Sequence, residues 1–410
     1  MTFFYMPEKI VLAHGAQGAC IYDLRRPTAV LYRLDAEATV LVNALLAGES
    51  ALGGDSSPGS ELLSTLLKVG LLCEGIAPVV AATDNVPRAR QAAWIEVTSK
   101  CQLQCVYCYG DFGGKDYESM TPASAALAVD ELLANGFYDL RIIGGEPLLE
   151  ESLVREMVNR IRTMPGTSVE IFTNGLLLTP EFVDFCRRQE VRLVLGLYGA
   201  DRSECQNVTG VARVHERQQD VFRMLNEIGV PFRVSITRNR YNNNASLTKL
   251  ASIYGIHQEA LREDHVRSVG RGRIEVNSID ADGDRHSPFT ITEAVFRRRI
   301  PSDKILRRLQ GGHDCFASRV CVSPSLDVYP CTMERSVSYG NLSHLPLETI
   351  LELGKPYRQA GKDSIASCRK CEYRYACFDC RVQRESPEGD FFSKPRYCAY
   401  DPEIGVWSTH

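Results

Sequence analysis

Apolar and polar positions change rhythm three times along this chain. Over residues 9–34 short apolar runs alternate with turns, which predicts strands at 9–13, 19–23 and 29–34. Asp35 then caps a predicted helix that runs to Ala47. A turn-rich loop at 53–59 leads to a second helix over 60–69, stopped by Gly70 and followed by the apolar Leu71, Leu72 and Cys73. That order is similar to a compact winged-helix unit, so residues 1–74 are read as a separate domain. Residues 75–91 contain Pro78 and Pro87 with little periodicity and read as a linker.

From Trp94 onward the period switches repeatedly between two and 3.6. Strands are predicted at 94–98, 140–143, 169–172, 192–197, 232–237 and 265–269. Helices fall between them: one started by Thr121 and Pro122 and ended by Gly136, then 150–163, 180–189, and 214–228 stopped by Gly229. About six β/α units imply a parallel sheet covered by helices, assigned to residues 92–310. After Gly311 the periodicity gives way to turns and cysteines, so residues 311–410 are expected to form a third, metal-stapled domain. The fold class is α/β: a partial (β/α)6 barrel between a winged-helix-like N-terminal domain and a cysteine-rich C-terminal one.

The chain has 410 residues, 44% hydrophobic and 24% charged, a globular balance sufficient for two or three domains. Its net charge of −4 gives no cationic field for phosphate, so no nucleic-acid partner is expected. The arginines between Phe296 and Arg308 read as a solvated helix face. Residues 1–10 lack a signal-peptide pattern, and no stretch reaches the ~20 apolar residues of a membrane span. A cytoplasmic protein without a membrane partner is therefore expected. Fifteen cysteines in such a chain point to metal sites or redox chemistry instead of disulfides.

Cys101, Cys105 and Cys108 have the spacing C-x3-C-x2-C and directly follow the first strand of the repeat, at the end of the sheet where α/β barrels gather their sites. Three thiolates in one loop can hold three irons of a 4Fe-4S cluster and leave the fourth open. Structural zinc is the competing reading, but such sites are normally closed by four ligands, and no fourth Cys or His lies nearby in sequence. On these residues the chain resembles the radical S-adenosylmethionine superfamily. The resemblance implies that the open iron binds the methionine part of S-adenosyl-L-methionine, with Tyr107 near the adenine. It extends to Gly144-Gly145-Glu146-Pro147 after the second strand, which matches the element contacting the cofactor's amino group, where the Glu146 carboxylate can meet an ammonium. Thr173-Asn174-Gly175 resembles a cofactor-contacting turn. Gly196-Leu197-Tyr198-Gly199 stands where many relatives carry Ser-x-Asp-Gly, so no serine hydroxyl is available there. Arg267 with Gly270-Arg271-Gly272 resembles the family's late arginine element, or else is a plain basic loop.

The last eight cysteines resemble the SPASM domain, which carries auxiliary clusters in peptide- and sulfatase-modifying radical enzymes. By that pattern one 4Fe-4S cluster takes Cys315, Cys321, Cys331 and Cys380, and a second takes Cys368, Cys371, Cys377 and Cys398. Two departures stand out: two residues instead of three precede Cys380, and Leu326 replaces a glycine. Two zinc knuckles are the alternative for this segment alone. Residues 1–74 are similar to the leader-recognition domain of ribosomal-peptide (RiPP) maturases, which binds a precursor's leader as an added edge strand. A small regulatory or dimerising winged helix is the other reading of the same segment.

Together these resemblances imply three 4Fe-4S clusters and an electron donor such as flavodoxin or ferredoxin. They imply a 5′-deoxyadenosyl radical that takes hydrogen from a leader-bound precursor peptide, with a thioether or carbon–carbon cross-link as outcome. Epimerisation, decarboxylation and a sulfatase-maturase-like activity remain alternatives. For epimerisation Cys205, soon after the fourth strand, is the candidate hydrogen donor; its other reading is a small buried apolar residue. From outside the enzymes, the rival is a zinc-knuckle binding protein.

Overall fold

The structure, a computed structural model, describes residues 3–49, 57–76, 91–273, 291–296, 300–309, 312–313, 315–378, 380–386 and 389–408. The expected loop at 53–59 and linker at 75–91 lie mostly outside these residues. The chain divides into two units: Met1–Arg88, Phe289–Asp314 and Gln359–His410 form one, and Ala89–Pro288 with Cys315–Arg358 form the other.

In the first unit β1 (Phe4–Tyr5) precedes an antiparallel meander of β2 (Ile10–His14), β3 (Ala19–Asp23) and β4 (Thr28–Leu34). The Asp35 side chain accepts from the backbone N–H of Ala38 and starts α1 (Ala36–Leu46); Ser57 does the same for α2 (Pro58–Lys68). A short β5 (Cys73–Glu74) pairs with β1. Strand β3 is buried on both faces, and its alternation sorts the partners. Ala19 and Ile21 pack with Leu45, Leu63 and Leu66 of the helices. Cys20 and Tyr22 pack with Ile300, Ile305, Tyr373 and Tyr400, and the strand Ile300–Pro301 extends the meander beside β4. The segment expected to be a separate domain at 1–74 thus shares one of its two cores with residues 291–309 and 371–407.

The second unit is built on six parallel strands in sequence order: β6 (Ala92–Glu96), β7 (Asp139–Ile143), β8 (Ser168–Thr173), β9 (Arg192–Leu197), β10 (Phe232–Arg238) and β11 (Leu261–His265). Between them run α3 (Pro122–Ala134), α4 (Glu151–Ile161), α5 (Pro180–Arg188), α6 (Arg202–Thr209), α7 (Val214–Ile228) and α8 (Leu247–Tyr254). The capping box at Thr121 and Ser124, the N-caps Thr179 and Ser246 and the left-handed Gly229 explain where these helices start and stop. Outward residues such as Ile95, Ile142, Ile171, Leu195 and Val234 pack under the helices, leaving the other face to the lumen. The sixth strand lies four residues earlier than predicted: Leu261 pairs with Val234, and Val266 and Val269, which suggested a strand, follow it.

Residues 311–410 do not stay together. The strand Arg319–Val322 runs parallel to β6 and turns back through Asp327–Tyr329, so this stretch joins the sheet of the second unit, while 359–410 belong to the first. At the turn between these two strands Leu326 has φ of +69°, the left-handed conformation that accounts for the glycine expected there. Among the described residues no helix is long and apolar enough to cross a membrane.

Candidate active site

At the carboxyl end of the parallel strands, Cys101, Cys105 and Cys108 line one cavity of about 500 Å³. The backbone N–H groups of Leu103 and Phe112 point at the sulfurs of Cys101 and Cys108, each at 3.4 Å, which supports negative charge on sulfur. In the bare chain burial pushes the Cys101 thiol up to about 11 and Cys105 higher still. Metal binding must therefore displace the thiol protons. Among the described residues no three His, Cys, Asp or Glu side chains close on a single point, so these donors are spread around one end of the cavity instead of gathered into a one-ion shell.

The expected cofactor residues Tyr107, Gly144, Gly145, Thr173, Asn174 and Arg267 line the same cavity. The glycines are required by close approach: a Cβ on Gly145 would stand 2.1 Å from the Lys100 carbonyl oxygen, and one on Gly144 2.6 Å from that of Thr98. Asn174 uses its Oδ1 to accept from Gln102 Nε2 (3.3 Å) and Leu176 N (2.9 Å), while its Nδ2 is buried with no acceptor. A donor left unpaired on a cavity wall beside three thiols and a glycine cradle suits a polar, oxygen-bearing ligand. The donor set fits S-adenosyl-L-methionine on a three-cysteine cluster.

Three expectations change. Glu146 does not reach toward a ligand: it is fully buried, and its carboxylate accepts from Leu148 N (3.0 Å), Thr173 Oγ1 (2.7 Å) and Asn174 N (2.8 Å). It clasps the turns after β7 and β8 together, and neither it nor Pro147 is on the cavity wall. At Gly196 a Cβ would meet the Tyr198 hydroxyl at 3.0 Å, so Tyr198 occupies the space a serine side chain there would need. Cys205, on α6, is fully buried with Leu103, Tyr198, Val208 and Val214; its sulfur lies 3.7 Å from the Tyr254 hydroxyl, and burial pushes its thiol up to about 12. It is off the cavity wall, and the donor role is not borne out by its position.

Arg271, quoted in the Gly-Arg-Gly element but not singled out, is the residue that clasps the cysteine loop. Its Nε donates to the Cys105 carbonyl (2.8 Å), one terminal nitrogen to Asp111 (2.6 Å) and the other to the Phe112 carbonyl (3.0 Å). Its own N–H donates to the Cys108 carbonyl at 3.0 Å. Arg267 pairs instead with Asp264 at 3.0 Å. Sequence reasoning also passed over Arg141 and Arg233 on the cavity wall. The signal was present in β7, where Asp139 and Arg141 alternate with Leu140 and Ile142.

Of the remaining cysteines, Cys315, Cys321 and Cys331 belong to the second unit. Their sulfurs meet Arg319 (3.8 Å), Arg335 (3.9 Å) and Thr332 (3.9 Å) respectively. Cys380 belongs to the first unit, as do Cys368, Cys371, Cys377 and Cys398, which line one small pocket there.

Residues 95–239 match the Radical SAM superfamily. The chain carries a radical SAM domain. It is an enzyme of S-adenosylmethionine-dependent radical chemistry, and the superfamily implies a 4Fe-4S cluster. Among curated proteins it is 26% identical to the AdoMet-dependent heme synthase of Methanosarcina barkeri, over 78% of this chain and 99% of that one. It is 24% identical to the PqqA peptide cyclase of Streptomyces rochei, over 75% and 89%. Among solved structures the radical SAM enzyme is similar to SuiB of Streptococcus suis bound to S-adenosylmethionine, with a TM-score of 0.54 at 15% identity over 93% of this chain and 97% of that one. SuiB bound to its precursor peptide SuiA gives 0.53 at 13% identity over 95% and 98%.

Proposed function

We propose that this radical SAM enzyme modifies a ribosomally made precursor peptide, held through its leader, and closes a thioether or carbon–carbon cross-link within it. The observation that carries the reading is the pairing of a cysteine-loop cavity with an N-terminal antiparallel meander whose outer strand, β2, is the last in its sheet among the described residues. A leader can extend that edge by backbone hydrogen bonds. Likeness to a peptide cyclase and to an enzyme solved with its precursor peptide supports the same substrate class.

Cys101, Cys105 and Cys108 would hold the cluster, and Gly144, Gly145 and Asn174 the cofactor. When bound, that pair supplies a carbon-centred radical able to take hydrogen from an unactivated carbon. The chain's own part is to fix one substrate carbon in reach and to keep water and other hydrogen donors out of the cavity. The eight cysteines from Cys315 to Cys398 would hold two auxiliary four-iron clusters, one of them on Cys368, Cys371, Cys377 and Cys398, to take the surplus electron of bond closure. A cytoplasmic flavodoxin or ferredoxin would serve as reductant.

Two measurements test this. Anaerobic metal analysis should find about twelve irons per chain and little zinc; zinc without iron defeats the proposal. Incubation with cofactor, reductant and the peptide encoded beside this gene should give a product lighter by two hydrogens in mass spectrometry. An unchanged mass with altered chirality would replace the cross-link by epimerisation.

A further inference from the structure

The lumen of the parallel sheet carries polar chemistry that the cysteine loop does not use. Trp94, Arg141, Glu170 and Arg192 are direct register partners across β6 to β9, and Arg233 stands opposite Val194 on β10. The Arg141 row lies three residues, or about 10 Å, below the Gly144-Gly145 turn, and Arg233, level with Val194 and Phe172, stands two residues higher. Arg141 sits over the Trp94 ring at 4.7 Å and Arg233 over Phe172 at 5.4 Å. Glu170 is 8% exposed and ion-pairs with Arg141 (3.6 Å), Arg233 (3.0 Å) and Arg192 (3.4 Å); Asp139 pairs with Arg141 at 3.2 Å. Two carboxylates therefore face four guanidiniums, because Arg319 also lies over the Trp94 ring at 5.6 Å.

The hydrogen bonding is also incomplete. A guanidinium offers five N–H donors. Among the described residues Arg141 donates a hydrogen bond to Asp139 and Arg233 to Glu170, and neither Nε has an acceptor in hydrogen-bond range, that of Arg141 standing 3.6 Å from Glu170. Both side chains line the cavity that the cysteine loop closes, and Arg233 is 40% accessible.

We propose that Arg141 and Arg233 form a seat for a carboxylate, and that its occupant is the side chain of an acidic residue in the substrate. This rests on the peptide reading above. The excess of positive charge calls for an anion, and the fork of a guanidinium matches the two coplanar oxygens of a carboxylate. Cys321 is the register partner of Trp94 on the opposite side from Arg141. An acidic residue anchored here has its remaining carbons directed back toward the cysteine loop, with the Cys321 strand alongside.

Isothermal titration of the cluster-loaded enzyme, with S-adenosylhomocysteine in the cofactor position, tests the seat. The probes are N-acetyl-glutamate N-methylamide and its glutamine counterpart. Wild type should bind the glutamate probe at least about tenfold more tightly than the glutamine probe, and Arg233→Gln should remove that preference. Arg233→Lys, which keeps the charge but not the fork, should retain part of it, and this series leaves Glu170 paired with Arg141 and Arg192. Equal binding of the two probes, or no binding of either, overturns the proposal. So does an Arg233→Gln enzyme that keeps the preference, or one whose affinity for S-adenosylmethionine falls by the same factor. The peptide reading fails on different data: a glutamate probe that binds while no peptide is modified would sink that reading and leave the seat standing.

Discussion

Glu146 has no oxygen left to offer a ligand, because three donors from two turns already converge on its buried carboxylate. Burial outweighs those bonds and holds its carboxyl up at about 7, against 4.5 for a free glutamate. The folded chain then binds the proton more tightly than the unfolded one, so stability is greatest below pH 4.5 and falls as pH rises through 7. The loss from this group is about 3 kcal/mol. Urea unfolding of the cluster-free protein at pH 5 and pH 8 should show it, and Glu146→Gln should flatten the difference. The glutamine should itself cost about 1–3 kcal/mol at pH 5, since an amide N–H2 must face an N–H donor. Cys205 is the contrasting residue: it is buried in a small apolar cluster beneath the cysteine loop and is off the cavity wall. Cys205→Ala should lower stability by about 1 kcal/mol through lost packing and leave the peptide product as in wild type. A changed product with the fold intact would restore a donor role for this thiol.

The elements of the barrel were legible in sequence because local signals agreed with one another. Thr121-Pro122, Thr179-Pro180 and Gly229 mark helix ends by cap chemistry that needs no tertiary partner, and the predicted bounds of α5, α7 and β9 fall within a residue of those found. The contents of the lumen were not legible, since Arg141, Glu170 and Arg233 meet only through strand register, which the chain does not write locally. The same holds for the clasp on the cysteine loop. Gly270 has φ of +52°, and a Cβ there would lie 2.3 Å from the Cys108 carbonyl oxygen. Gly270→Ala should therefore push Arg271 off the loop. The purified variant should lose about four of its expected twelve irons, those of the cysteine loop, and with them cofactor cleavage. Normal iron content in Gly270→Ala would show that the loop orders itself without the clasp.

At the scale of the whole chain, sequence order suggested three successive domains, with residues 1–74 as a separate one. What sequence order conceals is that the meander's second face has no core of its own. Tyr22 is fully buried against Tyr373 and Tyr400, and its hydroxyl donates to the Glu372 carbonyl at 2.6 Å. Ala16 N–H donates to the Lys370 carbonyl at 2.8 Å, and Arg374 to the carbonyl of His14 at 2.6 Å. Arg33 is paired at 3.2 Å with Glu372, which is fully buried. Both neighbours of Cys371 are thus tied to residues 14–33. Deleting residues 1–74 would expose this apolar face and take Arg33 from Glu372, leaving that carboxylate to the Tyr400 hydroxyl and to water. The truncated chain should therefore lose more than peptide binding: iron held by Cys368, Cys371, Cys377 and Cys398, about four atoms, should go too. Mössbauer spectroscopy of the purified, iron-57-reconstituted truncation would count what remains. Retention of the full-length iron content would mean that the C-terminal cysteine segment folds without the meander. Loss confined to that segment, with the cysteine-loop cluster intact, is the outcome the shared core requires.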